Sequence, residues 1–322
     1  MGKIIEVIKP GLATSVQDLG RIGFQQYGVV VSGAMDSFAL QVANLLVGNS
    51  RMEAGIEVVI MGPELRMMED TVLAICGADL SPKLDGKPVS GWKSFAAKKG
   101  QRLTFGQPNN GSYAYIAIAG GIDIPEVMGS KSTYTKAGIG GFNGKFLQKG
   151  DQLASGGEHV PLRYLTGRGL TETAVPSYDP HRKIRVVLGP DKHAFTTNAM
   201  DAFCSSTYKM TAQSDRMGYR LDGPVLSHLH GADIISDAIL PGTIQVPANG
   251  QPIILLADRQ TTGGYTRIAT VISVDLPLVV QKLSGSKLQF EAVSVEQAQQ
   301  LYTERELLLQ KLSLRAGVYP GA

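Results

Sequence analysis

Asp18 and Arg21 stand three apart in Gln17-Asp18-Leu19-Gly20-Arg21, and Asp258 opens the run Asp258-Arg259-Gln260-Thr261-Thr262-Gly263-Gly264-Tyr265. A carboxylate in such a place can accept or return a proton. A guanidinium offers a planar fork of donors to a carboxylate or carbonyl. Two further blocks have the same make-up: Ser32-Gly33-Ala34-Met35-Asp36, and Asp215 to Leu221 with Arg216, Tyr219 and Arg220. In each, polar side chains flank glycine at a break in the apolar rhythm, where positive φ and close backbone approach are permitted. Such turns suggest a polar site built by loops on a β scaffold.

Asp258, Asp18 and Arg21 are the expected catalytic residues. Substrate contacts are expected from Ser32, Gly33, Met35 and Asp36, and from Arg216, Tyr219 and Arg220. The run from Gly242 to Tyr265 adds Gln245, Gln260, Thr261, Thr262, Gly263, Gly264 and Tyr265. Each has a structural alternative. Asp18 and Arg21 can form a surface pair of little worth. Asp36 can cap a helix, a role compatible with anion binding there. The Asp258 run can be an Asx or Thr turn.

The elements that would carry these loops are mostly strands. Residues 3–9 form a short β-branched run stopped by Pro10-Gly11. A polar, Gly-rich stretch follows to Met35. Ala39, Val42, Ala43 and Leu46 then give a helical stripe capped by Asp36 and closed by Gly48. Residues 55–124 read as a β meander, with hairpin signals at Asp85-Gly86 and Asn110-Gly111. Residues 125–157 read as ordered loop. After a polar linker at about 167–180 the pattern begins again with KIRVVLGP, a helix near 194–204 and more strands. The last segment opens on a Ser294/Gln297 capping box and is an amphipathic helix, expected to dock on its own domain. The fold class is mainly β with a few helices, in two tandem modules. The expected divisions are residues 1–180, 181–293 and 294–322.

Charged residues are 18% and apolar ones 43% of the chain, the balance of a globular protein. Glycine supplies 38 of 322 residues, which favours short strands and tight turns. With a net charge of +3 and no Lys/Arg cluster, nucleic acid is not an expected partner. No apolar run approaches membrane-spanning length, and the N-terminus lacks a signal-peptide core. Cys76 and Cys204 lie far apart and fit reduced thiols in the cytoplasm. There is no P-loop, no GxSxG and no HExxH. His228 and His230 have no third ligand near them, and no metal site is expected.

The blocks SGAMD, AGGIDIPEVMGSKST, DRMGYRL, GTIQVP and DRQTTGGY, in this order, resemble the family of the 5-oxoprolinase C subunit, or KipA. That family is also described as allophanate hydrolase subunit 2 and as a biotin-dependent carboxyltransferase family. The resemblance covers nearly the whole chain. It implies two cyclophilin-like β-barrel modules. It implies two partners, the KipI-like B subunit of the complex, together with its A subunit from the lactam-utilisation family. The complex would open 5-oxo-L-proline to L-glutamate with ATP. ATP, with magnesium, would then be held by the complex rather than by a P-loop of this chain. Two alternatives come with the family: an antagonist that binds KipI and relieves inhibition of a sporulation histidine kinase, and a carboxyltransferase component acting on urea or a related amide. Tyr208-Lys209-Met210 departs from the Met-Lys-Met biotinylation site at its first position, so biotin would have to come in trans.

Overall fold

The computed structural model describes residues 2–157 and 160–318. Their contacts form two compact units. The first takes Ser32–Tyr178 with the segments up to Ile22 and from Leu307 onward; the second takes Gly23–Val31 and Asp179–Glu306.

The first unit begins with β1 (Lys3–Lys9), β2 (Ala13–Gln17) and α1 (Ser37–Leu46). The meander follows as β3 (Gly55–Val59), β4 (Glu64–Met67), β5 (Thr71–Asp79), β6 (Lys83–Leu84), β7 (Lys87–Pro88), β8 (Lys93–Ala97), β9 (Arg102–Thr104) and β10 (Asn110–Ile118). The short β11 (Gln152–Ala154) comes last. They build a six-stranded sheet, β11-β1-β4-β9-β6-β7, and a five-stranded sheet, β2-β3-β10-β5-β8. Ile5, Leu65 and Leu103 from the first, with Ile56, Leu73 and Ile116 from the second, belong to one fully buried apolar cluster. That shared burial is the main force holding the unit together.

Four local outcomes differ from the sequence reading. Residues 13–17, read as part of a polar stretch, form β2: Thr14, Ser15 and Gln17 are buried, and the strand pairs with β3 from Ala13↔Val59 to Gln17↔Gly55. Asn110-Gly111 is not a hairpin turn but the start of β10, where the register against β5 shifts and Gly111 takes φ +84°. Asp85-Gly86 does turn a hairpin, with φ +47° and +78°. Helix α1 is buried all round from Phe38 to Leu46 rather than on one stripe. Its polar Asn44 is satisfied by donating to the Glu53 carbonyl at 2.6 Å. The stretch read as a linker is pinned to this unit: the Ser94 N–H donates to the Arg168 carbonyl, and Tyr178 is buried.

The second unit contains β12 (Ile184–Leu188), α2 (Thr197–Ser205), β13 (Tyr208–Met210), β14 (Gly218–Asp222), β15 (Asp233–Ala238), β16 (Thr243–Gln245), β17 (Ile253–Leu255), β18 (Thr262–Tyr265) and β19 (Arg267–Val271). It continues through α3 (Leu276–Val280), β20 (Lys287–Leu288) and β21 (Phe290–Ala292). Eight of these strands form one sheet in the order β20-β13-β14-β17-β16-β19-β12-β21. Its two outermost strands are consecutive in the chain, separated by Gln289 alone, so the sheet curls back on itself as a barrel. Strands β15 and β18 stand apart as a two-stranded ribbon.

Helix α4 (Val295–Ala316) opens on the expected capping box, Ser294 N–H to Gln297 Oε1 at 3.1 Å and Gln297 N–H to Ser294 Oγ at 3.2 Å. Only Leu309 and Ser313 of its described residues are buried, and Tyr302 is half exposed. Ala298, Leu301, Leu308 and Leu312 of the apolar stripe are partly buried. No helix among the described residues is long and apolar enough to cross a membrane.

Candidate functional site

In the first unit, Asp18 follows β2 directly and its carboxylate gathers four donors. Oδ1 accepts from the Gly20 N–H at 2.8 Å, the Ser130 hydroxyl at 2.7 Å and the Ser132 hydroxyl; Oδ2 accepts from the Lys131 N–H at 2.6 Å. Arg21 is fully buried and donates to the Val127 and Ser132 carbonyls. The loop that carries Ser32 and Gly33 lies against the same turn. The Ala34 N–H donates to the Asp18 carbonyl at 2.9 Å, and a Cβ on Gly33 would stand 2.9 Å from Gly20 N. Asp18, Arg21, Ser32 and Gly33, predicted separately, are therefore one cluster. The geometry gives Asp18 the work of a clamp on residues 130–132.

Ser32 Oγ and Gln17 Oε1 of this cluster are buried with no hydrogen-bond partner among the described residues. Ser32 also takes φ +56°, a left-handed conformation costly for a side chain with Cβ. Buried polar atoms left without partners are unusual, and they mark places where a ligand group can be received.

Met35 and Asp36 sit on a second network. The Met35 N–H donates to Glu57 Oε2 at 2.9 Å, and the Asp36 N–H to the Tyr115 hydroxyl oxygen at 2.7 Å. The Tyr115 hydroxyl donates to Glu57 Oε2 at 2.8 Å, and Tyr178 donates to Asp36 Oδ2 at 2.9 Å. Asp36 Oδ1 caps α1 through the Ala39 N–H at 3.0 Å. Asp36, Glu57 and Tyr115 are all essentially inaccessible. Burial, reinforced by the Glu57 and Asp36 charges, pushes the Tyr115 phenol well above its ordinary value. The expected N-cap role of Asp36 is present, and the side chain faces the interior.

In the second unit, Arg216 grips Asp258 with two donors, Nε to Oδ2 at 2.9 Å and Nη2 to Oδ1 at 3.1 Å. Tyr219 is buried and donates to the Val280 carbonyl at 3.1 Å. Arg220, its neighbour on β14, is exposed, as strand alternation requires. Gln245 is buried and donates to the Tyr265 carbonyl at 3.2 Å. A Cβ on Gly263 would stand 2.4 Å from Gln245 Nε2 and from Ile239 Cδ1, so a larger residue would push these two side-chain ends aside. Gln260 is exposed. Thr262 to Tyr265, expected as a loop, form β18 of the ribbon.

Several residues of these clusters were absent from the sequence reading as site residues: Ser130, Ser132, Glu57, Tyr115 and Arg259. Glu57 did leave a signal, a carboxylate inside the apolar run GIEVVI. Arg259 is 5% exposed, and its guanidinium contacts carbonyls alone, Nε to Ile239 at 3.2 Å and Nη1 to Leu256 at 3.3 Å. Burial pushes it down to about 10, so it remains a cation at neutral pH.

Other features carry less chemistry. His228 Nε2 lies 2.9 Å from Thr266 Oγ1 and the ring packs on Phe195. Among the described residues no group of three or more His, Cys, Asp or Glu is placed to hold a metal. A groove in the second unit, lined by residues including Val187, Ile272, Ala298 and Tyr302, has no carboxylate, lysine, arginine or histidine in its walls.

Comparison with known proteins agrees with this architecture. A family described as "Carboxyltransferase domain, subdomain A and B" matches residues 27–292. The chain is 39% identical to the 5-oxoprolinase C subunit of Escherichia coli over 97% of its own length and 98% of that protein. It is 36% identical to the 5-oxoprolinase C subunit of Haemophilus influenzae over 96% and 97%. The crystal structure of the K. lactis urea amidolyase superposes with a TM-score of 0.90 at 30% identity, over 97% of this chain but 20% of that one. The modules are cyclophilin-like β structures of the kind found in that carboxyltransferase region. By sequence matched from end to end and by fold, the chain belongs to the carboxyltransferase family that includes the C subunits of 5-oxoprolinase.

Proposed function

We propose that this chain is one subunit of an ATP-dependent 5-oxoprolinase, which opens 5-oxo-L-proline to L-glutamate together with a KipI-like partner and a lactam-utilisation partner. The observation that carries the reading is the full-length match to two proteins named as that enzyme's C subunit. An amide is a poor electrophile, and its ring opening builds negative charge on the carbonyl oxygen. Fixed donors aimed at that oxygen are the largest help a protein can give. The chain supplies candidates in the Ser32 hydroxyl and the hydroxyls of Thr261 and Thr262. Asp258 is held in place by Arg216, and that pairing uses two of the roughly four acceptor positions of a carboxylate. The remaining ones can receive a substrate proton.

The glycine-rich loop of this chain packs closely on its own residues. A Cβ at Gly140 would stand 2.1 Å from Ser132 O, and one at Gly141 1.8 Å from Thr133 Oγ1, so the turn is filled by its own chain. In this reading ATP is handled by the partner proteins.

A second reading is favoured by the urea amidolyase likeness: a carboxyltransferase-type component acting on urea or a related amide. Tyr208-Lys209-Met210 is a strand paired on both sides, with Tyr208 and Met210 buried, so the biotin would come from a carrier in trans. Glutamate release from 5-oxoproline and ATP, with the three proteins present and each omitted in turn, tests the first reading. Activity that needs all three supports it. Inactivity of partners that bind one another, with avidin-sensitive turnover of urea, replaces it with the second.

A further inference from the structure

Three partly buried arginines of the second unit are matched to acids. Arg185 pairs with Asp275, Arg216 with Asp258, and Arg267 with Asp191 and Asp237. Arg259 is the most deeply buried of this set and has no ion pair among the described residues. Its neighbour Asp258 is committed to Arg216 through both oxygens. Two of its N–H groups meet carbonyls, and Nη2 donates to nothing among the described residues. It lies at the root of the β15–β18 ribbon, beside Ile239, whose side chain converges on Gly263 and Gln245.

A cation withdrawn from water without a counter-charge is costly to the fold. The same withdrawal strengthens its pull on any anion that reaches it. A guanidinium fork matches the two oxygens of a carboxylate, which gives geometry as well as charge. We infer that Arg259 is an anion-recognition residue, and that the group it receives is the carboxylate of the lactam substrate. The identity of the anion rests on the ring-opening reading; the anion site itself rests on the unmatched buried cation.

The test is calorimetric titration of the full-length chain with 5-oxo-L-proline, its neutral carboxamide and inorganic phosphate. Wild type, Arg259→Gln and Arg259→Lys are compared, with thermal melts as the folding control. Wild type is expected to bind the acid and not the carboxamide. Arg259→Gln weakens binding at least tenfold, and Arg259→Lys recovers part of it through charge without the fork. If Arg259→Gln does not fold, the lysine variant and the acid-against-carboxamide comparison still decide. Equal affinity for acid and carboxamide, unchanged affinity in Arg259→Gln, preference for phosphate, or no binding of 5-oxoproline to wild type overturns the inference. Carboxylate binding without ATP-dependent ring opening by the assembled proteins leaves the anion site standing and removes the oxoprolinase reading.

Discussion

The Arg216 guanidinium holds the Asp258 carboxylate in a two-point grip, 2.9 Å and 3.1 Å, across 42 residues of sequence. Both side chains are largely buried. Removing the carboxylate alone leaves a buried cation without its partner. Asp258→Leu is expected to lower unfolding free energy by about 3 kcal/mol, and Arg216→Met/Asp258→Leu to restore most of that. Urea denaturation of the single and double variants measures it. In the assembled enzyme Asp258→Asn should reduce turnover at least about a hundredfold if the carboxylate moves a proton. Unchanged turnover in a folded variant assigns the pair to structure alone.

Asp18 gathers donors from Gly20, Ser130, Lys131 and Ser132. Asp18→Ala releases all four at once and should cost about 3 kcal/mol, the scale of several buried donors losing one acceptor. Hydrogen exchange gives the sharper readout. The Gly20 and Lys131 amides should lose protection first, while the β5 and β10 amides keep theirs.

Gly33 takes φ +91°, and an added Cβ would stand 2.9 Å from the backbone of Leu19 and Gly20. Gly28 takes φ +76° with nothing near an added Cβ. Gly28→Ala therefore measures backbone strain alone, about 1 kcal/mol, and Gly33→Ala should cost about 2 kcal/mol or more because contact is added to strain. Equal losses from the two would remove the close approach between these loops.

Alkaline stability follows from buried acids that stay protonated. Burial pushes the Cys76 thiol well above its ordinary 9.0, and the Tyr115 phenol well above 10.0. A raised group favours the folded state fully below its ordinary value, because both states are then protonated. That contribution is lost as pH rises toward the folded value, since the unfolded chain releases its proton first. Unfolding free energy should be flat near neutrality and fall above about pH 9, by up to about 1.4 kcal/mol per pH unit for each such group. Cys76→Ala should make the fall shallower. Native protein should also leave Cys76 unreacted toward a thiol reagent while the partly accessible Cys204 reacts slowly.

The strands and the caps were legible because their causes are local. Asp36 caps α1 and Ser294 with Gln297 caps α4, as residue type and spacing dictated. Strand β2 was hidden because Thr14, Ser15 and Gln17 are buried polar residues, which periodicity counts as exposed. The site was legible by address but not by pairing. Nothing near Asp258 announces that Arg216 will claim it, or that Arg259 beside it will be left without an acid. Such matches are made across sheets, between residues that sequence separates widely.

The closed sheet of the second unit has a consequence for how the chain is made. Strand β12 is its first strand, and beside it in parallel lies β21, the last: Ile184 faces Phe290 and Val186 faces Ala292. A nascent chain can pair β14 with β17 and β16 with β19 as they emerge. It cannot seal the ring until Phe290 to Ala292 have left the ribosome. Until then β12 presents an unpaired edge to any neighbour able to add a strand. Assembly with partner proteins is therefore safest after synthesis has passed that point, and translation pauses before it would lengthen the period of exposure.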